Sequence, residues 1–291
     1  MSFSRLNPED ITISTDSIVA PLWSNDKISL QNIYKESTQS HPYIKVYGSD
    51  PLTTPDSEVQ FSIMYGHKDG LGSALINPIV PNNSLTRITY GQIRTLVNGD
   101  ENTSINFGTG NTESPDLFII NINRAQYKEK LFLPTFNLTL TNPSGTIYLT
   151  NNSKDTTTIN YCDSGRIFDL VSGSFGNSIT TTSLSGSTPG YTKSGSYGKF
   201  LPDVGLILLN PRALSLPFIS GGLGITLGTA NSNDILFNNN KVLFDLIKSG
   251  SYFSLNSEES ITSDYIFIRP KNAEFNYTTN PSIINSNGEF Y

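Results

Sequence analysis

Two histidines, His41 and His67, and one cysteine, Cys162, are the side chains best suited to proton transfer near neutral pH or to soft-metal binding. A zinc site would need both histidines together with carboxylates. A Ser-His-Asp triad would have to use one of the two. The nearest approach to a nucleophile elbow, Gly176-Asn177-Ser178-Ile179-Thr180, has Thr where the second glycine belongs. The stretch Tyr65-Gly66-His67-Lys68-Asp69-Gly70 reads as a strand followed by a polar turn, not as a metal or acid–base site. Glycoside hydrolysis would need two carboxylates in one cleft. The obvious doublets are Asp100-Glu101 and Glu258-Glu259, and both fall in segments that read as solvated turns. Gly222-Leu223-Gly224-Ile225-Thr226-Leu227-Gly228 has the wrong spacing for a dinucleotide loop, and its Ile-Thr-Leu centre favours strand or bend. No Walker A or EF-hand pattern occurs. The expectation is therefore no catalytic residue, no cofactor-binding residue and no metal ligand, hence no cofactor.

Four arginines are more informative. Arg94, Arg124, Arg166 and Arg269 each lie beside an apolar or strand-like stretch. A guanidinium in that setting forms planar pairs with carboxylates or carbonyls. Internal scaffolding is the first expectation and pairing between subunits the second.

The composition narrows the class. Ser, Thr and Asn number 37, 29 and 30, or 96 of 291 residues, while charged residues make up only 15%. Hydrophobic residues reach 36%, below an average globular domain at ~45–50%. Yet 31 residues are Phe, Tyr or Trp, too many for a disordered chain and enough for one or two cores. A net charge of −6 argues against nucleic-acid binding. The apolar runs reach four residues, as at Leu206–Leu209, where a spanning helix needs ~20, so no membrane insertion is expected. The N-terminus lacks the apolar core of a signal peptide. A single cysteine permits no disulfide within the chain. Five Asn-X-Ser/Thr sequons, at Asn82, Asn102, Asn137, Asn151 and Asn276, are what chance gives in so Ser/Thr/Asn-rich a chain.

These residues must be carried on strands. Tyr43–Tyr47, Val59–Tyr65, Phe118–Ile122, Thr135–Leu140 with Thr146–Leu149 as its hairpin partner, Val204–Leu209 and Tyr265–Arg269 all carry strand patterns bounded by turn residues. Lys27–Lys35 reads as two helical turns, and Asn240–Lys248 as one helix capped by Asn240 and ended at Gly250. The fold class is mainly β: antiparallel sandwich or barrel-like sheets with long loops and one or two short helices. Four regions follow: an N-terminal arm, 1–40, anchored by Ile18, Val19, Leu22 and Trp23 on its own fold or a neighbouring subunit; a β-rich domain, 41–160; a Ser/Gly/Thr-rich loop region, 161–200; and a β-rich C-terminal region, 201–291, with the helix near 240–248. Ser-Gly-Ser-aromatic recurs at Ser172–Phe175, Ser194–Tyr197 and Ser249–Tyr252, read as turns with an aromatic tucked behind. Gly288-Glu289-Phe290-Tyr291 reads as a strand beginning, able to pair with another subunit's sheet edge.

Four segments, taken in order, carry a resemblance. They are Tyr65–Gly70, Tyr90-Gly91-Gln92-Ile93-Arg94, Asn123-Arg124-Ala125-Gln126-Tyr127-Lys128-Glu129-Lys130, and Asn272-Ala273-Glu274-Phe275-Asn276-Tyr277-Thr278-Thr279-Asn280-Pro281. Over roughly residues 60–285 the chain resembles virion structural proteins of marine and cyanobacterial contractile-tailed phages, T4-like in type. The resemblance implies a tail or baseplate component and transfers no catalytic residues. Such proteins are expected to continue with further strands past the Asn280-Pro281 step. It implies other virion proteins (tail, baseplate or neck subunits) as partners, a homo-oligomer within the particle, and the virion, assembled in the host cytoplasm, as location. The expected function is a non-enzymatic structural subunit acting through subunit–subunit contacts, with the arm and the 172–200 loop as contacts. The alternatives are a receptor- or glycan-binding tail module, with tyrosines near Tyr191 and Tyr197 exposed, and a polysaccharide depolymerase.

Overall fold

The computed structural model describes residues 8–37, 42–77, 79, 83–107, 113–178, 197–268, 282, 283, 285–287 and 289. The expectations for His41, Tyr191, residues 179–196, Arg269, the segment 272–281 and the strand start at Gly288, Phe290 and Tyr291 lie outside them. The chain divides into two compact units, residues 19–259 and a smaller one formed by residues up to 18 and from 260 onward.

In chain order the strands are β1 (Ile11–Pro21), β2 (Ser29–Leu30), β3 (Tyr34–Lys35), β4 (Ile44–Tyr47), β5 (Val59–His67), β6 (Asp116–Ile122), β7 (Lys130–Asn142), β8 (Gly145–Asn151), β9 (Asn160–Cys162), β10 (Gly165–Ser174), β11 (Asn177–Ser178), β12 (Gly198–Leu201), β13 (Leu206–Leu209) and β14 (Phe253–Ile266). The α-helices are α1 (Leu85–Asn98), α2 (Pro211–Ser215) and α3 (Asn233–Gly250). The strands hydrogen-bond in the order β1-β14-β7-β8-β10-β12-β13-β6-β5-β4-β3, with β2 on β14 and both β9 and β11 on β10. The registers from β3 round to β14 are antiparallel. The mainly β, antiparallel class is the one read from the sequence.

Two cores flank the middle of this sheet. Phe118, Ile120 and Ile122 of β6 enter one, and Leu117 and Ile119 enter the other. Ile207 and Leu209 of β13 divide from Leu206 and Leu208 in the same way. Side chains alternate across a strand, so a strand buried on both faces is apolar throughout rather than every second residue. Helix α1 covers the second core with Tyr90 and Ile93, joined by partly buried Leu96 and Val97. Helix α3 covers the first with Leu243, Phe244, Leu246 and Ile247. The first core is dense in rings. Phe253 lies 4.8 Å from Trp23, 5.6 Å from Phe61 and 6.1 Å from Phe136, centroid to centroid, and Phe136 stacks on Phe200 at 4.8 Å.

Several local expectations are corrected. Lys27–Lys35 is extended rather than helical, because Leu30 pairs with Phe253 and Tyr34 with Tyr47. Residues 90–94 are helical, not strand-like; Tyr90, Ile93 and Val97 recur at helical spacing, and Gly99 at φ +66° closes the helix by donating to Thr95 O. The helix expected at 240–248 runs from 233 to 250, so helices are more numerous and longer than the one or two short ones expected. Ser232 is its cap, accepting from Asp234 N, and Ser251 at φ +52° ends it. Asn240 is interior, and its amide donates to Pro42 O at 3.0 Å. The 161–200 loop region holds β9 to β12 instead. Phe168, Leu170 and Val171 are buried, and β10 pairs with β8 and β12 at once. Of the arm's anchors, Leu22 and Trp23 are buried while Ile18 and Val19 are exposed.

Removing the central ring has a defined cost. Phe253→Ala is expected to destabilise the chain by about 3–5 kcal/mol, read as a lowered urea midpoint with an unchanged slope, because the cavity opens among rings that cannot collapse into it.

Candidate functional site

The residues tested for chemistry fall into separate places. His67 ends β5 opposite Asp116, the first residue of β6. Its Nδ1 accepts from Asp69 N at 3.0 Å, so the ring serves the turn predicted after it. Asp116 accepts from Tyr65 Oη at 3.0 Å and from Ser114 Oγ at 3.1 Å. Burial pushes the Asp116 carboxyl up, against the two hydroxyls that favour its charged form. Burial also pushes the Tyr65 phenol up, and the Asp116 charge adds to it. Burial lowers His67 below its ordinary 6.5, with Asp116 and Asp69 opposing. Ser114 therefore bonds the carboxylate rather than an imidazole, and the group is not arranged as a triad. Among the described residues, no cluster of three or more His, Cys, Asp or Glu side chains is placed to hold a metal.

The carboxylate doublets also separate. Asp100 sits in the predicted turn, where the Thr103 hydroxyl and the Asn102 N–H hold its carboxyl below the usual range. Glu258 and Glu259 are strand residues of β14, a correction to the turn reading: Glu258 pairs with Lys130, the first residue of β7, and β14 continues past both. Glu258 faces Lys130 at 3.8 Å and Glu259 faces Lys128 at 3.0 Å. Three of the four arginines singled out, Arg94, Arg124 and Arg166, lie among the described residues and make contacts within the chain. Arg166 makes a bidentate pair with Asp203, whose Oδ2 also accepts from Arg166 N. Burial alone would raise Asp203; these bonds hold it low, and they raise Arg166. Arg124 lies 4.3 Å above the Tyr127 ring and donates to the Lys128 and Glu129 carbonyls. Arg94 lies 5.5 Å from the Tyr90 ring and donates to Asn102 O at 3.5 Å. Tyr197 is buried, as the reading of an aromatic tucked behind its turn expects, and so is not the exposed tyrosine that the glycan-binding alternative asked for; its hydroxyl donates to Gly221 O at 2.6 Å, and burial pushes its pKa up to about 12.

The surface that stands out lies in the smaller unit. There the outer parts of β1 and β14 are neighbours, and Phe267 N donates to Asp10 O at 2.8 Å. Ile13 is 66% exposed, Ile266 54% and Ile268 72%. Ile11, Ile18, Ile261, Tyr265 and Phe267 are exposed as well. A two-stranded ribbon is marginal alone in water, and contiguous exposed apolar side chains mark contact sites. Ile11-Thr12-Ile13 and Tyr265-Ile266-Phe267-Ile268 are visible in the sequence; that they are adjacent is not. The chain matches no protein-family model, no curated protein and no solved structure.

The buried histidine makes stability pH-dependent. Its folded pKa lies below its unfolded one, so the unfolded chain takes up a proton that the folded chain refuses. Stability is expected to fall as pH drops through 6.5 toward the folded value. Thermal melting of His67→Gln should vary less over that window than the wild type; equal slopes would count against this origin.

Proposed function

We propose that the chain is a non-enzymatic structural subunit of a phage virion, in the contractile tail or baseplate, acting through subunit contacts. The observation that carries an assembly role is the apolar β1–β14 ribbon, and the four segments that resemble virion structural proteins supply the particle. The occupant proposed for the ribbon is a second copy of this chain, seated within the virion among other tail, baseplate or neck proteins after assembly in the host cytoplasm. Two supports are independent of the resemblance. The apolar side chains of the ribbon lie on two long strands or directly after them, the geometry from which sheet-edge and face-to-face contacts are made. Three of the groups capable of chemistry are engaged in scaffolding: Arg166 with Asp203, Asp116 with Tyr65, His67 with its own turn.

The test is the oligomeric state. The purified chain is expected to self-associate in sedimentation velocity, and Ile13→Lys with Ile266→Lys to shift it to monomer without lowering its melting temperature, since both positions are exposed. A wild-type chain that stays monomeric at the highest attainable concentration would overturn the proposal, as would a charged pair that leaves the association intact.

A further inference from the structure

Two of the three Ser-Gly-Ser-aromatic steps meet in space. Gly173-Ser174-Phe175 and Ser249-Gly250 with Tyr252 line one groove of about 500 Å³ together with residues of the β7–β8 hairpin. The third step ends at Tyr197, which is buried elsewhere. The glycines explain the recurrence. A Cβ on Gly173 would come within 2.2 Å of Asn177 O, and one on Gly250 within 1.9 Å of Thr139 O. Each glycine lets the backbone pass close to a neighbouring strand, and the aromatic two residues on is delivered to the groove.

Phe175 is the unusual member. It and Gly176 are the two loop residues between β10 and β11, with φ of +52° and +71°. Two successive left-handed residues make a type I′ turn, whose first position favours Asn, Asp or Gly. A phenylalanine there is strained. Three partners fix the turn: Asn137 Oδ1 accepts from Phe175 N, Lys154 Nζ donates to Phe175 O at 2.6 Å, and Thr150 Oγ1 accepts from Gly176 N at 2.7 Å. The ring so held is not a core residue; it is 52% exposed. Tyr148, on β8 opposite Thr139, is 53% exposed, and Tyr252 is half-buried. Strain maintained to present an exposed ring points to a ligand that uses the ring.

The chemistry of the lining narrows that ligand. None of the thirteen lining residues is charged. The hydroxyls of Tyr148, Ser174, Ser249 and Tyr252 make no hydrogen bond among the described residues. A ligand that fits must be uncharged, must offer a flat apolar face to aromatic rings, and must carry hydroxyls at its edge to exchange hydrogen bonds with serine and tyrosine. A pyranose ring has both features, and the groove lies in the volume range of small-molecule sites, ~300–1,000 Å³. We infer that this groove binds a neutral oligosaccharide segment, with Phe175 and Tyr148 as the stacking platforms and Ser174 and Ser249 as edge contacts. The inference stands apart from the ribbon: groove variants should leave the oligomeric state alone, and ribbon variants should leave sugar binding alone.

The full chain is to be titrated by NMR with neutral oligomers of glucose, galactose, mannose and N-acetylglucosamine, and with sulfated oligomers of the same sugars. At least one neutral oligomer is expected to bind saturably, and Tyr148→Ala and Phe175→Ala each to weaken it about tenfold. Phe175→Asn separates binding from folding: Asn suits the left-handed turn, so this variant is expected to melt above the wild type while binding as weakly as Phe175→Ala. Absence of binding by every neutral oligomer would overturn the inference. So would undiminished binding by the variants, sulfated oligomers binding as tightly as neutral ones, or a Phe175→Asn variant that melts lower.

Discussion

Trp23 Nε1 donates to Phe253 O at 2.9 Å inside the core, and its ring lies against the Phe253 ring. This one contact joins residues 230 positions apart. Around it Phe61 and Phe136 add edge-to-face contacts, so four separate stretches of chain meet at one cluster of rings. The two long-range pairings that close the sheet at this end, β2 on β14 and β14 on β7, both start at Phe253. Tight interior packing makes such a junction intolerant of even small volume changes. The groove wall at Tyr252 and the end of helix α3 both lie within three residues of Phe253.

The polar majority of the sequence has a structural use. Asparagine amides stand in for missing strand partners: Asn123 donates to Val59 O, Asn142 to Leu223 O, Asn151 to Leu133 O and Asn239 to Gly228 O. Asn210 and Ser232 begin helices α2 and α3 by accepting from the first-turn amides. Buried backbone groups need partners wherever the sheet ladder stops, and a short amide carries both a donor and an acceptor to them. Low charge with a regular fold is thereby explained: neutral side chains do the joining.

The elements legible in the sequence are those whose burial is simple. β5, β6, the β7–β8 hairpin and β13 follow from apolar alternation or apolar runs bounded by turns. α1 escaped because its sequence is rich in Thr and Ile, which favour strand locally, and its helical face is settled by the second core, a tertiary fact. The start of α3 escaped because Asn240, a residue type that favours caps, read as the first position, whereas Asn239 and Asn240 are buried inside the helix and bonded to distant carbonyls. β10 escaped beneath its Ser/Gly content, since only its neighbours on both sides reveal it as an interior strand. Of the groove, the repeated tetrapeptide was legible, but not that two copies converge or that a phenylalanine adopts a left-handed conformation.

The sheet order also imposes a schedule. Leu30 pairs with Phe253, so more than two hundred residues must be made before the first long strand's neighbour exists. At ~5–20 residues per second that is a wait of roughly 10–50 s on the ribosome. Until β14 emerges, β1 has no partner and the edge of β7 stays open. A chain interrupted before Phe253 therefore presents no ribbon, and Trp23 waits in an open core for the carbonyl and the ring that only the last long strand brings.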